Sequence, residues 1–492
     1  MRWIYPLAPE TEQGPDVLGG KAHGLVMLRR LRLPVPPGFV IGTEACRAFL
    51  RHRRFPDGLD DELAAAVAEL EATTGRRLGG PERPLVVSVR SGGGVSMPGM
   101  MTTILNLGLT SGFAAAATDG EPIPDDAIGQ LRRAVAAVFS SWNSPRATTY
   151  RELHGVPHDL GTAVTVQAMV FGNRDDQSGA GVAFSRNPNT GEPVPFGEVL
   201  FGRQGDEVVS GESLTRPLHE LAEREPAVWA GLLDALRRVE EHHRDACCLE
   251  FTFEAGELWL LQARPGQLAA AAAVRTAVDL ADEGMIGRHE ALLRVSPRHL
   301  QLVRTPRIVG VEEADVLARG LGAVPGVAVG RVATTADRAV RMAADGPVIL
   351  VRPATSPLDL RGLAAAAGVV TARGGPASHA AVVARAMGKP AVVGVAGLTV
   401  DVASARAGAH RVPEGARIAI DGTGGEVVLG TPRVATTAAD PHLRRLLDWA
   451  DEVSGDNGAG RDAAERLGAA LTALAARHLF PERVMGTSSR TG

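Results

Sequence analysis

The sequence predicts a multi-domain α/β protein, and three observations carry that expectation. The chain has 492 residues, too many for one compact core. Strand-like apolar runs and helical stretches occur together in two separate regions, residues 85–264 and 347–429. Between them lies helical, amphipathic sequence that opens on the alanine run Ala269–Ala273.

Composition narrows the class. Apolar residues make up 45% and charged residues 22%, an ordinary globular balance. A net charge of −4 supplies no basic field for nucleic acid. No segment approaches the roughly 18 uninterrupted apolar residues of a membrane span, so no membrane partner is expected. The opening Met1-Arg2-Trp3-Ile4-Tyr5-Pro6 lacks the apolar core of a signal peptide. Cys46, Cys247 and Cys248 make no disulfide framework. The expected compartment is the cytoplasm.

The elements follow in order. Asp16-Val17-Leu18-Gly19-Gly20-Lys21 reads as a glycine turn into a short helix to Leu31, stopped by Pro34, Pro36 and Pro37. Residues 85–91 read as a strand that enters a loop, Gly92-Gly93-Gly94 through Ser96-Met97-Pro98-Gly99. Strands are also expected at 163–171 and 180–185. The clearest hairpin is 249–264: Leu249, Phe251 and Phe253 alternate with Glu250, Thr252 and Glu254. A turn at Ala255-Gly256 then leads into a strand from Leu258 to Arg264. Period two points the apolar set inward and puts Cys248 on the face of Glu250.

Helical sequence is expected from the alanine run to about Leu317. Alternation of strand and helix resumes near Gly326. It runs as strand 347–352, helix 358–366, strand 368–372, loop 373–378, helix 379–387 and strand 391–395. A hairpin at 417–429 turns at Asp421-Gly422-Thr423-Gly424-Gly425. The breaks divide the chain into 1–265, 266–325, 326–432 and a tail, 433–492.

Two groups of residues bear chemistry. No GxxxxGK[ST] occurs, which excludes a P-loop enzyme. A different phosphate cradle is available from Lys21 after two glycines, Arg90 at a strand end, and the loop that contains Ser96 and Gly99. Glycines let backbone N–H groups approach phosphate oxygens, and cations neutralise charge. Of 52 Lys and Arg residues only Lys21 and Lys389 are lysine. A compact ammonium suits phosphate, and Lys21 is read that way; Lys389, in a turn before Pro390, is read as a chance survivor. Glu250 offers the carboxylate oxygen that Mg²⁺ prefers. Taken singly, a strand-end Arg or a half-exposed Glu is also an ordinary surface residue. His379 begins a helix after Gly374-Gly375 and a Ser in N-cap position, so a phosphoryl group on it would meet free N–H groups. The same pattern equally describes a surface histidine beside a cap.

Longer motifs decide between these readings. Val87-Ser88-Val89-Arg90-Ser91 with Met97-Pro98-Gly99-Met100-Met101 resembles the nucleotide loop of the pyruvate, phosphate dikinase family. So do Ser141-Trp142-Asn143, Gly181 to Pro188, Glu250-Phe251-Thr252 and Leu261-Gln262-Ala263-Arg264. Gly374-Gly375 with Ser378-His379-Ala380-Ala381-Val382-Val383-Ala384-Arg385 resembles that family's phosphohistidine motif, and the matches keep their order from residue 16 to about 452. The resemblance implies an ATP-grasp-like nucleotide-binding domain, a helical linker and a swivelling phosphohistidine domain. It implies ATP-dependent phosphorylation of His379 and onward transfer of the phosphoryl group. Lys21, Arg90, Ser96, Gly99, Glu250, Gln262 and Arg264 would surround ATP, with Glu250 and Gln262 toward Mg²⁺.

The sequence departs from that pattern in several places. Cys248 stands where the family usually has Asp, Gly94 where it has a loop Arg, and Ala377 where it has a regulatory Thr. The stretch between Leu109 and Val138 is shortened. Leu447 to Glu452 resembles the lead-in to a barrel that binds phosphoenolpyruvate and pyruvate, but the roughly 200 residues such a barrel needs do not follow. A separate barrel protein or another phosphate acceptor is therefore the expected partner. Rifamycin phosphotransferases share both modules, which makes small-molecule phosphorylation a second reading. They carry a large substrate domain where this chain has only residues 266–325. A third reading, a non-catalytic nucleotide-binding or regulatory remnant, follows from Cys248, Gly94 and the missing barrel.

Overall fold

The computed structural model describes residues 2–80, 83–95, 97, 100–108, 126–205, 215–303, 306–310, 315–376, 378–408, 410–436, 440–455 and 460–479. The first part of the chain folds as two antiparallel sheets. One contains β1 (Ile4–Pro6), β2 (Gly38–Ile41), β3 (Val87–Gly92), β4 (Thr103–Leu107) and β5 (Ala163–Ala168), in the order β1-β2-β5-β3-β4. Helices Thr43–His52, Leu59–Thr74 and Ala127–Ser141 supply apolar faces to its core, where Leu63, Val89, Ile104, Phe139 and Val164 meet. The other sheet contains β6 (Gly179–Phe184), β7 (Phe196–Phe201), β8 (Arg216–Pro217), β9 (Cys247–Glu254) and β10 (Glu257–Pro265), in the order β10-β9-β6-β7-β8. Leu249, Phe251 and Phe253 of β9 point into a core shared with helices Pro15–Arg30 and Pro226–His243. The turn between β9 and β10 holds Ala255 and Gly256 at φ +51° and +77°, the left-handed pair a two-residue hairpin turn requires.

A second domain is built on eight strands. Its centre is parallel: β14 (Val327–Ala333), β15 (Val348–Arg352), β16 (Gly368–Thr371) and β17 (Ala391–Val393) lie side by side. Antiparallel strands flank them: β12 (Val316–Arg319) and β13 (Leu321–Val324) from before the parallel set, and β21 (Arg417–Asp421) and β22 (Glu426–Leu429) from after it. A small sheet of β18 (Leu398–Val400), β19 (Ser404–Ala407) and β20 (His410–Pro413) sits alongside. Lys389, expected to be a chance survivor, has a role instead: its Nζ donates to the carbonyls of Ala364 and Ala366 at the end of helix Leu360–Ala365.

The helical expectation to Leu317 needs correction. Helices end at Leu302, and strand structure begins with β11 (Pro306–Val309), which pairs with β23 (Arg433–Thr436). The partners of β11, β12 and β13 lie 67 to 130 positions away in the chain, as in Val324↔Ala391 and Pro306↔Thr436, so no local pattern announces them. Helices Ala270–Asp282, Arg288–Arg294 and Pro297–Leu302 share one core with Pro441–Ser454 and Ala463–Leu479, where Val278, Leu292, Leu446, Trp449 and Leu467 meet. Sequence before and after the second domain thus closes into one helical unit. Arg186, at the end of β6, joins that unit to the first domain: its Nη2 lies 2.8 Å from Glu240 and 2.7 Å from Glu283.

Candidate active site

A cleft of about 280 Å³ separates the two sheets of the first domain, lined by Lys21, Arg90, Gln167, Gln204 and Glu250 among others. Lys21 is placed by a break in its own helix. Gly19 sits at φ +72°, and a Cβ there would come within 1.7 Å of Gly92 O. The Gly20 N–H donates to Gly93 O at 3.0 Å. Two glycine segments distant in sequence are thereby laid on one another, with Lys21 at the junction. Burial, with Arg90 nearby, lowers the Lys21 pKa to about 8. Arg90 donates through Nη2 to Gln167 Oε1, while its Nε is buried with no partner among the described residues. A buried guanidinium nitrogen without a partner is expensive, and a phosphate oxygen is its natural complement. Ser96 and Gly99 lie outside the described residues. The loop is held from behind by Arg146 Nε donating to Met100 O at 3.0 Å, and by the Thr102 N–H donating to Ser141 Oγ at 3.1 Å.

The far wall depends on one extra residue. Pairing of β9 with β10 runs Leu260↔Phe251 and then Gln262↔Glu250, so Leu261 is a bulge. Without it, strict alternation would turn Gln262 and Arg264 to the core. With it, Gln262 shares the face of Glu250 and Arg264 that of Cys248. Arg264 Nη2 lies 3.5 Å from Glu250 Oε1. Glu250 and Gln262 are the neighbouring oxygen donors on this face. No group of three or more His, Cys, Asp or Glu poised to hold a metal occurs among the described residues.

His379 is the first residue of helix His379–Met387 and follows directly from the loop after β16. Its Nδ1 lies 3.1 Å from Thr355 Oγ1. Burial holds the imidazole below its ordinary pKa, against a smaller upward pull from Asp359. The ring is therefore neutral near pH 7, as a nucleophile must be. Ser378 occupies the N-cap position with extended backbone, yet its hydroxyl makes no cap bond and is buried without a partner among the described residues. That hydroxyl and the first-turn N–H groups, which have no partner within a helix, belong to the same helix end as His379.

The two groups of residues lie on facing surfaces. Register across β7, β6, β9 and β10 sets Glu198, Val182, Glu250 and Gln262 in one row. Glu198 is buried and accepts from Thr215 Oγ1 at 2.6 Å. A Cβ on Gly375 would lie 1.8 Å from its Oε2, so the loop leading to His379 rests on the sheet that carries Glu250. Asn189 Nδ2 donates to Gly322 O at 3.1 Å, and Arg385 Nη2 reaches Asn189 Oδ1 at 3.4 Å, tightening the same contact. Cys248 shares the face of Glu250 as its spacing implied, but it is buried against Val182, Phe184 and Leu200. Burial pushes its thiol pKa up, and Arg264, Glu250 and Arg385 are its charged neighbours.

Lys21, Arg90 and Glu250 thus line one cleft, Gln262 and Arg264 extend its wall, and His379 stands on the opposing domain. Sequence reasoning missed Gln167, Gln204 and Thr355, which carry no motif of their own. Gln167 had one usable signal, a polar residue inside an apolar strand.

Residues 50–216 match the family described as pyruvate phosphate dikinase, AMP/ATP-binding domain, and residues 344–425 match PEP-utilising enzyme, mobile domain. The chain is 37% identical to pyruvate, phosphate dikinase of Rhizobium meliloti (strain 1021), covering 92% of this chain and 60% of the relative. It is 38% identical to pyruvate, phosphate dikinase 2 of Oryza sativa subsp. japonica, with coverages of 89% and 58%. With the Clostridium symbiosum enzyme it shares 35% identity, with coverages of 92% and 60%. The chain thus spans 58–60% of the length of these relatives. Over that span, with the nucleotide-binding and mobile domains both matched, the chain belongs to the pyruvate, phosphate dikinase family.

Proposed function

We propose that the chain binds ATP between the two sheets of its first domain and transfers a phosphoryl group to His379. The observation that carries this reading is the contact of the Gly375 loop with Glu198, in the same row as Glu250. A nucleophile and a phosphate cradle on separate domains serve phosphoryl transfer only where those domains meet. Lys21, the free Nε of Arg90 and the glycine loop would hold phosphate oxygens, while Leu105, Val170 and Leu261 give the cleft an apolar end for a base. Glu250 and Gln262 fit Mg²⁺, which keeps several waters and needs few protein ligands. Bound there, the ion would neutralise charge on the polyphosphate.

On the acceptor side, Thr355 holds Nδ1 and leaves Nε2 as the attacking nitrogen. The Nε2 lone pair attacks the β-phosphorus as its bond to the α–β bridging oxygen breaks, so AMP leaves and the β- and γ-phosphoryl groups pass to the imidazole together. The leaving oxygen stays with the nucleotide. Inorganic phosphate then takes the γ-phosphoryl group as pyrophosphate, and the β-phosphoryl group stays on Nε2. The Ser378 hydroxyl and the helix N–H groups then receive the phosphoryl oxygens. Onward transfer to a separate barrel protein or another acceptor completes the proposed cycle.

The test is covalent labelling. Dikinase chemistry transfers the β-phosphoryl group, so incubation with Mg²⁺ and ATP labelled at that position should give acid-labile, base-stable label. His379→Ala should abolish it. Label that persists in the variant would overturn the assignment, and absence of label in the parent would favour a non-catalytic nucleotide-binding role.

A further inference from the structure

A cleft of about 930 Å³, distinct from the nucleotide site, lies between the two α/β domains. One wall is the carboxyl edge of the parallel strands. Pro353 follows β15, Ala372 and Arg373 follow β16, and Val395 follows β17. Parallel strands open their carboxyl ends on one side of a sheet, and ligands of α/β folds settle in that crevice. The His379 loop leaves the same edge.

The opposite wall comes from the end of β7 and the segment after it: Phe201, Arg203, Arg216 and Arg224. Four exposed arginines, counting Arg373, therefore surround one concavity, and no carboxylate lines it among the described residues. Arg224 stacks with its guanidinium carbon 3.7 Å from the Phe201 ring centre, which fixes the plane of its donors. Arg216 has a loose, exposed pair with Glu220 at 3.8 Å. Scattered over a convex surface, such residues would be mere solvated charge. Gathered around a cavity of ligand size, their repulsion is relieved by a polyanion, and the guanidinium fork matches phosphate oxygens.

We propose that this interdomain cleft is a second anion site, separate from the nucleotide cleft, that takes a phosphate-bearing small molecule. Its walls belong to different domains, so an occupant that touches both holds them in contact. The site stands on side chains and shape, independently of phosphorylation at His379.

Calorimetry with inorganic pyrophosphate on the full chain tests it. Lys21→Ala/Arg90→Ala silences the nucleotide cleft, so the remaining heat reports the interdomain site. Binding should survive in that variant and weaken at least about tenfold when Arg216→Glu/Arg224→Glu is added, and on raising salt from about 50 to 300 mM. Arg373→Glu, on the other domain, should weaken it similarly. Unchanged thermal melting of these surface variants would show that they fold. Pyrophosphate binding lost in Lys21→Ala/Arg90→Ala but intact in Arg216→Glu/Arg224→Glu would put the anion in the nucleotide cleft and overturn the proposal. Indifference to Arg373→Glu would overturn the interdomain placement. His379 labelling, followed in parallel, fails or succeeds separately and keeps this outcome distinct from that of the phosphotransferase reading.

Discussion

At the scale of single residues, Lys21 makes the sharpest prediction. Burial lowers its pKa to about 8 from 10.5. The folded value lies below the unfolded one, so the charged form opposes folding below pH 8, and the free protein gains stability as pH rises from 8 toward 10.5. Polyphosphate reverses the preference, because it favours the ammonium. ATP binding should therefore take up close to one proton at about pH 9 and almost none near pH 6.5. Calorimetry in buffers of different ionisation enthalpy measures this, and an uptake independent of pH would remove Lys21 from the phosphate contact. Thr355 makes a second prediction through its bond to His379 Nδ1. Thr355→Val should slow labelling by about tenfold while leaving the ATP-induced rise in melting temperature intact. Equal labelling rates would mean that the ring is oriented by packing alone. Cys248 makes a third, because its charged neighbours are Arg264, Arg385 and Glu250, two cations to one anion. Arg385 is buried with Nε and Nη1 unpartnered among the described residues. Cys248→Asp would place a carboxylate between guanidinium groups of two domains. A higher melting temperature that vanishes when Arg385→Met is added is the expected result; an unchanged melt would mean that the new carboxylate pairs with neither.

At the scale of elements, geometry depends on features that are single residues in the sequence and whole strands in their effect. The hairpin 249–264 was legible because alternation is local: the face of Glu250 and the turn at Ala255-Gly256 both follow from period two. The bulge at Leu261 was not, because an inserted residue changes no composition and shows only in register. The Lys21 turn was legible as glycine punctuation, whereas its partner, the Gly92–Gly93 loop, is fixed by tertiary contact. Gly19 concentrates that contact. Gly19→Ala meets both a left-handed φ and a carbonyl oxygen, so it should cost about 3 kcal/mol or more and abolish the ATP-induced melting shift. A variant that melts and responds to ATP like the parent would mean that the two glycine segments part easily.

At the scale of the whole molecule, the sequence suggested a linker and a tail, and the structure joins them. The linker was legible as helical from its amphipathic pattern, whereas residues 433–492 were read only as a tail, because nothing in either stretch names the other. Their common core makes a prediction: truncation after Thr436 removes two of the five helices and exposes Val278, Leu280 and Leu292. Loss of helical circular dichroism beyond the deleted residues is expected, together with aggregation. A truncated chain that keeps its remaining helices would show that the shared core is dispensable.

The pairing of β11 with β23 has a mechanical meaning. Both strands that connect the His379 domain to the helical unit are stitched side by side over Pro306↔Thr436 to Val309↔Arg433. A single flexible strand would be a ball joint, free to swing and to spin. A two-stranded ribbon bends readily across its flat face but resists shear within its plane. The domain that carries His379 is therefore hung like a door on a strap, with one easy arc of travel. An imidazole that leaves the nucleotide cleft along that arc returns to it facing the same way.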